Sequence, residues 1–430
     1  MPVLRNPVSR HVLDNGLTVL LREVHSAPVI SWWVLYRVGS RNEQTGQTGV
    51  SHWVEHMMFK GTPRFPAGVL DQAIDREGGM WNAQTSFDYT AYYETMPASR
   101  IDLALQAEAD RMQNALFDPA EVDSERTVII SERQGSENSP TFWLHEETRA
   151  AAFRVHPYHH QVIGDMVDLQ SMTRDDLYNH YQTHYTPNNA IAVAVGDFDS
   201  AEMLAQIEEL YGAIPPGDVP SPVARVEPPQ QGERTVRVER EGNTSFIFAA
   251  YRAPEATHPD WFKMALVDSI LAGASAPGGN GIGNRTSRLY KALVETELAA
   301  GVGGGLYPSV DPALFSIAVT VRDGRTIEEV QAALDAELDR LARGDITQAE
   351  LDKAKKQAKA LFAYGTEGVT GQAFWLAFSE NFSSYEWYEH YLEFLEAVSL
   401  DEVHEAAQRY LRRSQRTLGW FIPVSGEKRA

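Results

Sequence analysis

The chain has 430 residues, a formal net charge of −21 at pH 7 and no cysteine. It is too long for one common domain and suits two of about 200 residues. Its acidic balance argues against a nucleic-acid partner, because phosphate binding needs clustered lysine and arginine. Carboxylates dispersed over the surface explain the charge better than an acidic cavity for basic peptides. Without cysteine, a metal ion must be held by nitrogen and oxygen.

No apolar run approaches the roughly 18 to 20 residues that a membrane helix needs, so we expect no membrane span. The first residues, MPVLRNPVSR, lack the apolar stretch of a signal peptide. The absence of cysteine leaves the compartment open.

Alternating apolar residues predict strands at 17–21 and 31–38. The first motif with chemical content follows, where His52, Glu55 and His56 form an H-x-x-E-H pentad. On a helix these positions span an arc of roughly 100°, so two imidazoles and one carboxylate can face the same point. Two histidines four residues apart can bind one metal ion, and zinc in a hydrolytic site takes a third protein ligand from elsewhere. Glu55 suits the role of base in amide hydrolysis.

An H-x-x-E-H pentad can also arise by chance in an amphipathic helix, with its histidines satisfied by hydrogen bonds in the core. The flanking residues favour the metal site, because the whole string GVSHWVEHMMFKGT at 49–62 resembles the pitrilysin (insulinase-type) family of zinc metallopeptidases. That family includes insulin-degrading enzyme and the mitochondrial processing peptidase. The resemblance implies one Zn²⁺ per chain, with His52 and His56 as ligands and Glu55 as general base.

The next stretch, GGMWNAQT at 78–85 continuing to DYTAYY at 88–93, resembles the family's GG-x-x-N-A-x-T segment. In relatives this segment is a strand edge beside the zinc, to which the substrate adds as an extra strand. The resemblance therefore implies that Asn82 and Ala83 contact the substrate. The alternative is a turn that leads into an ordinary alternating strand.

A helical stretch, ERTVIISE at 125–132, resembles the family's E-R-x-x-V-x-x-E helix. The resemblance implies that Glu132, at the family's distance from His56, is the third zinc ligand. It also implies that Glu125, seven residues earlier on the same helix face, supports the ligands from behind. The alternative for both is a solvated helix carboxylate.

Two further patterns could suggest sites, but simpler interpretations are favoured. His156-Pro157-Tyr158-His159-His160 contains three histidines, yet proline and the expected loop disfavour a second metal site. The run GGNGIG at 278–283 is not followed by Lys-Ser/Thr, so we assign it no nucleotide. The resemblance implies that it is a flexible turn before a helix.

A proline-rich segment divides the chain almost in half, with six prolines between residues 215 and 229. Proline this dense predicts an extended linker. We therefore predict a zinc-bearing catalytic domain at 1–214, a linker at 215–232 and a homologous second domain at 233–430 that lacks the zinc motif.

The two halves read as distant repeats, because the helix and apolar strand at 171–196 parallel those at 399–422. Helical patterns at 327–342 and 348–363 follow a predicted strand at 244–251. The fold class predicted is α+β, with two homologous domains that are each a mainly antiparallel sheet packed by helices. The resemblance implies that they form half of a clamshell.

In relatives, the half without zinc carries an arginine and, seven residues later, a tyrosine, which bind substrate and stabilise the oxyanion. The segment at 283–300 matches the start of that pattern, but it is one residue short, and Val294 and Ala300 stand where the pair is expected. The resemblance to two-subunit members implies a heterodimer in which a homologous zinc-less subunit supplies the Arg/Tyr pair.

The function predicted is that of a zinc endopeptidase subunit acting on extended or unfolded peptides. Two alternatives stay open: a non-catalytic scaffold subunit of a larger complex, and a processing peptidase that removes targeting segments. Because two-subunit bacterial relatives are often exported, we favour the periplasm over the cytoplasm.

Overall fold

The computed structural model describes residues 6–218, 223, 225–274 and 285–424. These residues form two compact units, and each unit is assembled from three segments of the chain. The first unit comprises Met1–Gln134, His160–Arg225 and Thr366–Tyr388, and the second comprises Gly135–His159, Val226–Gly365 and Glu389–Ala430.

The sheet of the first unit has six described strands in the order β1-β2-β6-β3-β5-β4. They are β1 Ser9–Val12, β2 Thr18–Glu23, β3 Val29–Tyr36, β4 Met80–Thr85, β5 Thr90–Pro97 and β6 Ala190–Gly196. Strands β2 and β6 are parallel, and the other neighbours are antiparallel. Strands β3 and β6 are buried along almost their whole length, because helices cover both faces of the sheet.

The sheet of the second unit has five described strands in the order β7-β11-β8-β10-β9. They are β7 Arg234–Glu241, β8 Phe246–Ala253, β9 Ala299–Gly305, β10 Ala313–Val321 and β11 Arg416–Val424. Strands β7 and β11 are parallel and the remaining pairs are antiparallel. This pattern repeats that of β2, β6, β3, β5 and β4 in the first unit. The predicted α+β class, with mainly antiparallel sheets packed by helices, is confirmed.

The helices of each unit connect these strands along the chain or pack on the sheets. In chain order they are α1 Val50–Met57, α2 Val69–Arg76, α3 Ile101–Asn114, α4 Pro119–Glu137, α5 Pro140–Ala152, α6 Met166–Ser171, α7 Arg174–His184, α8 Ser200–Tyr211, α9 Trp261–Ala272, α10 Ile327–Ala342, α11 Gln348–Gly365, α12 Val369–Phe382, α13 Tyr385–Glu389, α14 Tyr391–Ala397 and α15 Leu400–Tyr410. Among those described, none is both long and apolar enough to cross a membrane.

The predicted repeat is visible in how the last helix and strand of each half begin. Helix α7 starts with a capping box in which Thr173 and Asp176 satisfy each other's backbone N–H groups, and α15 starts in the same way with Ser399 and Glu402. Each helix leads to the strand that forms the parallel pair of its sheet. Local sequence signals therefore place the same supersecondary unit twice.

The contiguous halves predicted at 1–214 and 233–430 differ from the compact units in two segments. Helix α5 packs on β7, β8 and β11 of the second unit, and α12 packs on β3 and β6 of the first. On the first sheet, Trp33 stacks on Tyr93 at 4.1 Å between ring centroids, and Phe374 of α12 lies 5.7 Å from Trp33. An apolar sheet face must be covered, but sequence order does not say which helix covers it.

The proline-rich segment forms no regular secondary structure in its described residues, 215–218, 223 and 225–232. Its last part is fastened to the second unit. The carboxylate of Glu227 accepts hydrogen bonds from the backbone N–H groups of Arg154, Val155 and His156 at 2.7, 2.8 and 3.0 Å. The glycine-rich run at 278–283 lies outside the described residues.

Candidate metal centre and active site

Helix α1 carries the H-x-x-E-H pentad and begins after Gly49, whose φ of 89° places it in the left-handed region. A Cβ at Gly49 would lie 2.6 Å from the backbone oxygen of Ile163, so glycine is required there on two grounds. Trp53, Val54 and Met57 are fully buried and form the inward face of the helix. His52 and His56 are half-buried, one turn apart on the opposite side.

His52, His56 and Glu132 each offer one donor atom, and the three atoms lie within 4.8 Å of one another. Oε2 of Glu132 is 3.9 Å from Nε2 of His52 and 3.7 Å from Nε2 of His56. This is the one group of this kind among the described residues. Because α4 brings Glu132 to α1 from far along the chain, the donor set exists only in the tertiary structure.

The donor set fits zinc. Donors arranged tetrahedrally at about 2.0–2.1 Å from the ion would be about 3.4 Å apart, which is close to the distances from Glu132 to the histidines. Two imidazoles and one carboxylate are a ligand set found at hydrolytic zinc sites, and they leave one position for water. Side chains at this separation need only small movements to close on an ion.

Glu125 orients His56 from behind. Its Oε1 lies 2.8 Å from Nδ1 of His56, and because a carboxylate accepts, the proton belongs on Nδ1 and the lone pair on Nε2. Oε2 of Glu125 forms an ion pair with Lys60 at 2.5 Å. The hydrogen bond from His56 and that from Lys60 hold the pKa of Glu125 below its usual range, although burial opposes them.

The two histidines differ electrostatically. Burial lowers the pKa of His52 to about 4, and the neighbouring His56 adds to this effect. Burial also acts to lower the pKa of His56, but the hydrogen bond to Glu125 and the charge of Glu132 outweigh it and raise this pKa. The Nδ1 atom of His52 is buried and makes no hydrogen bond to the described residues. His52 is therefore held as a neutral imidazole, the form that binds a metal.

Glu55 lies on α1 between the histidines and is 9% exposed. Burial raises the pKa of its carboxyl, and a hydrogen bond that Oε2 accepts from the Thr85 hydroxyl partly opposes the rise. Thr85 is the last residue of β4, two positions after Ala83. The role of Thr85 was not predicted, although the period of two along a strand places it on the face of Ala83.

Asn82 and Ala83 lie in the middle of β4, opposite Tyr93 and Tyr92 of β5. Within the described residues β4 pairs with β5 alone, so its other side is a sheet edge. Asn82 is exposed, and its Oδ1 accepts a hydrogen bond from the backbone N–H of Ala83 at 2.9 Å. Helix α1 packs against β4, which places this edge beside the pentad.

Arg288, the arginine that matches the start of the family's Arg/Tyr pattern, has a structural role. Arg288 binds Glu350 through two nitrogens, at 2.7 and 2.8 Å, and Glu350 also accepts a hydrogen bond from the backbone N–H of Thr347 at the start of α11. Val294 is half-buried at the end of a π-helical turn, Tyr290–Val294, and Ala300 is exposed in β9. Residues 283 and 284 of the pattern lie outside the described residues.

The histidine cluster at 156–160 has structural partners. Nε2 of His156 lies 3.1 Å from Oδ2 of Asp311, and Nδ1 of His159 lies 3.0 Å from the backbone oxygen of His156. Nε2 of His160 lies 2.8 Å from the buried carboxylate of Glu43. Among the described residues these histidines are not grouped as metal ligands.

Two family models together match most of this chain. A family model described as Insulinase (Peptidase family M16) matches residues 18–166, and one described as Peptidase M16 inactive domain matches residues 171–358. The zinc protease PqqE of Helicobacter pylori is 32% identical over 368 residues, which cover 84% of this chain and 80% of that protein. The chain belongs to the peptidase M16 (insulinase) family. The resemblance found in its motifs is thus confirmed.

Two further comparisons match along nearly the whole chain. The mitochondrial-processing peptidase subunit beta of Lentinula edodes is 26% identical over 422 residues, covering 97% of this chain and 90% of that protein. The crystal structure of a protease from Helicobacter pylori superposes with a TM-score of 0.91 at 29% identity, covering 97% of this chain and all of that one. All the candidate site residues lie in the part of the chain that the insulinase model matches.

Proposed function

We propose that this chain is the zinc-bearing subunit of an endopeptidase that hydrolyses extended or unfolded peptides. The observation that carries the proposal is the convergence of His52, His56 and Glu132 within 4.8 Å, with the buried carboxylate of Glu55 on the same helix. A donor set with a base beside it is the arrangement required for metal-assisted hydrolysis.

The residues have distinct roles in this proposal. His52, His56 and Glu132 hold one Zn²⁺ per chain, which when bound lowers the pKa of a water and polarises the scissile carbonyl. Glu55 is the general base. Oε2 of Glu55 accepts a hydrogen bond from the Thr85 hydroxyl, which holds the carboxylate in place to accept the proton of the attacking water.

The free edge of β4 supports an extended substrate. A peptide that adds to β4 as a further strand satisfies its own backbone groups whatever its side chains, which favours unfolded chains with loose sequence preference. Asn82 and Ala83 are at the centre of that edge. Alternate backbone N–H groups of such a substrate point towards β4 and away from it.

This binding mode can be tested with peptides methylated on backbone nitrogens. Methylation of the N–H groups in one alternating set should raise KM about tenfold or more, while methylation of the other set should have little effect. The second set is the matched control, because both sets retain every side chain. Equal effects of the two sets would exclude strand addition.

We further propose that a homologous subunit completes the enzyme. Val294 and Ala300 occupy the positions where the family pattern has arginine and tyrosine, and neither side chain can donate a hydrogen bond to an oxyanion. Arg288, the nearby arginine of the pattern, is bound to Glu350. These positions support a heterodimer in which the partner carries the Arg/Tyr pair.

The decisive experiment is hydrolysis of an unstructured fluorogenic peptide by the purified, zinc-loaded chain, alone and with its homologous partner, using Glu55→Gln as the blank. We expect stoichiometric zinc, little cleavage by the chain alone, and cleavage with the partner that Glu55→Gln abolishes. Cleavage by the chain alone would contradict the proposed heterodimer but would support the proposed peptidase activity. Zinc binding without cleavage in either sample would favour a scaffold subunit.

Substrate preference distinguishes a general endopeptidase from a processing peptidase. The same assay with peptides that carry an N-terminal targeting segment, compared with unstructured peptides of equal length, measures the preference. Similar kcat/KM values for both sets support a general endopeptidase. The periplasmic location stays a prediction, which fractionation of the native cell would test.

A further inference from the structure

One segment, His160–Leu169, contacts α4 and the residues that lead into α1, and we call it the strap. Helix α1 supplies His52 and His56, and α4 supplies Glu132. Their donor atoms converge only when the two helices are held at one separation. The strap lies in the first unit together with α1 and residues 119–134 of α4.

At the α1 end, the strap acts through a buried carboxylate. Glu43, only 4% exposed, accepts hydrogen bonds from the backbone N–H groups of Gly49 and Ser51 at 2.8 and 2.9 Å. It thereby caps the start of α1, where a negative charge is favoured by the helix dipole. His160, at the first position of the strap, lies 2.8 Å from Glu43. The strap therefore fixes the carboxylate that anchors the pentad helix.

A second set of bonds joins the strap to the residue before Gly49. Oδ2 of Asp168 accepts hydrogen bonds from the backbone N–H and the hydroxyl of Thr48 at 2.9 and 2.7 Å. The Thr48 hydroxyl in turn accepts one from the backbone N–H of Asp165 at 2.8 Å. A Cβ added to Gly164 would lie 2.3 Å from the backbone oxygen of Thr48, so the two segments are in direct backbone contact.

At the α4 end, two arginines reach the strap. Nη1 of Arg133, the neighbour of Glu132, donates to the backbone oxygen of Gly164, and Nη1 of Arg126 donates to that of Leu169 at 2.8 Å. Arg133 is 3% exposed, so its charge is satisfied inside the protein. The guanidinium of Arg126 also lies over the ring of Trp53 in α1, 4.7 Å from its centroid.

We propose that the strap is a positioning element that sets the separation of α1 and α4, and with it the geometry of the metal donors. Glu43, which caps α1, and Arg133, on α4, are the positioning residues through which the strap acts. The proposal rests on the proposed zinc site for its consequence, but the separation of the helices is a property of the chain itself. A strap that only stabilised the fold would leave the metal geometry unchanged.

The test compares Glu43→Gln and Arg133→Met with Ile129→Val, a control that removes one methyl group from a fully buried position on α4 and breaks none of the polar contacts of the strap. Zinc affinity of the folded protein is measured by chelator competition, and metal geometry by the visible spectrum of the cobalt-loaded protein. We expect affinity about 10-fold to 100-fold lower and an altered cobalt spectrum in both strap variants, with neither change in the control.

A second measurement needs no metal. The chain has no cysteine, so spin labels at Thr45→Cys and Val128→Cys report, without background labelling, the distance between α4 and the segment that leads into α1. Both positions are exposed. We expect the distance distribution of the metal-free protein to shift or broaden in the strap variants.

The outcomes separate the two proposals. Wild-type protein that binds no zinc, with a changed label distance in the strap variants, would overturn the proposed function and support the strap. Strap variants that unfold more easily but keep the wild-type label distance, zinc affinity and cobalt spectrum would overturn the strap. If Arg133→Met does not fold, Glu43→Gln carries the test.

Discussion

Oε1 of Glu125 lies 2.8 Å from Nδ1 of His56, while the other ring nitrogen of His56 faces Glu132 at 3.7 Å. The carboxylate therefore fixes both the ring orientation and the tautomer of His56. It also strengthens the imidazole as a donor, because a hydrogen bond to an anion raises the basicity of the ring.

We predict that Glu125→Gln lowers zinc affinity about 10-fold to 100-fold, because the amide cannot hold the Nδ1 proton as the charged group does. Chelator competition measures this affinity. Glu121→Gln is the matched control, since Glu121 lies on the same helix and approaches Lys60 at 3.8 Å. Equal affinities of the two variants would show that Glu125 does not support the ligand.

The bond between Thr85 and Glu55 predicts a defect in turnover. Thr85→Val should lower kcat about tenfold and leave zinc content unchanged, because a hydrogen bond to a charged group contributes roughly 1.5–3 kcal/mol. Thr85→Ser, which keeps the hydroxyl, should restore activity. The assay uses the active assembly. Loss of zinc in Thr85→Val would instead indicate that Thr85 supports the fold of the site.

A buried cluster near the site predicts a pH-dependent stability. Glu94 and Glu108 are both fully buried, and Arg111 lies 3.3 Å from Glu94 and donates to Glu108. Burial raises the pKa of Glu94 to about 8, against the opposing charge of Arg111. Folding raises the pKa of Glu94 above its value in the unfolded chain. The contribution of protonated Glu94 to the free energy of unfolding is therefore fully present below the pKa of the unfolded chain and is lost as pH rises towards 8.

Glu94→Gln should therefore become more stable relative to the wild type as pH rises from about 5 to about 9, since glutamine resembles the protonated acid. Urea unfolding across this range measures the difference in free energy of unfolding. Exposed Glu209→Gln, which should show no such trend, is the control. A constant difference between Glu94→Gln and the wild type would mean that Glu94 keeps one protonation state throughout.

The pairing of Arg288 with Glu350 predicts the opposite pH trend. Burial acts to raise the pKa of Glu350, but hydrogen bonds from Arg288 and Thr347 outweigh it and lower the pKa to about 2. A lowered pKa gives stability that is present above the unfolded value and is lost as pH falls towards 2. Glu350→Gln should cost about 1 kcal/mol at neutral pH, since the pair is partly exposed.

Urea unfolding of Glu350→Gln and wild-type protein should give a difference that shrinks between about pH 5 and about pH 3. Exposed Glu209→Gln is again the control. A difference that stays constant to low pH would show that Glu350 acts through packing and not through its charge.

The sequence predicted those parts of the site that depend on local periodicity. His52, Glu55 and His56 follow from helical spacing, and α10 was predicted with its observed bounds, Ile327–Ala342. The placement of Asn82 and Ala83 on a strand edge came from the resemblance to the family. The assignment of Glu132 to the same centre depended on a family resemblance, because no local signal connects it to His56.

The contacts between Thr85 and Glu55, and between His160 and Glu43, were not predictable in this way. Each contact joins residues that are far apart in the sequence. Neither Thr85 nor His160 is an unusual residue in its own segment, so no local signal marks it. The exchange of α5 and α12 between the two halves escaped prediction for a related reason. A helix with an apolar face can cover either of two apolar sheets equally well, as far as periodicity shows.

By itself, the sequence determined the elements, the repeated supersecondary unit, the pentad on its helix and the nitrogen and oxygen chemistry of any metal site. These follow from dihedral preferences, capping and hydrophobic period, which act over a few residues. The tertiary structure alone decided the approach of Glu132 to the histidines, the strap across α1 and α4, and the composition of each compact unit. Those features depend on which buried faces and polar groups find partners across long stretches of chain, and only the packed molecule satisfies them together.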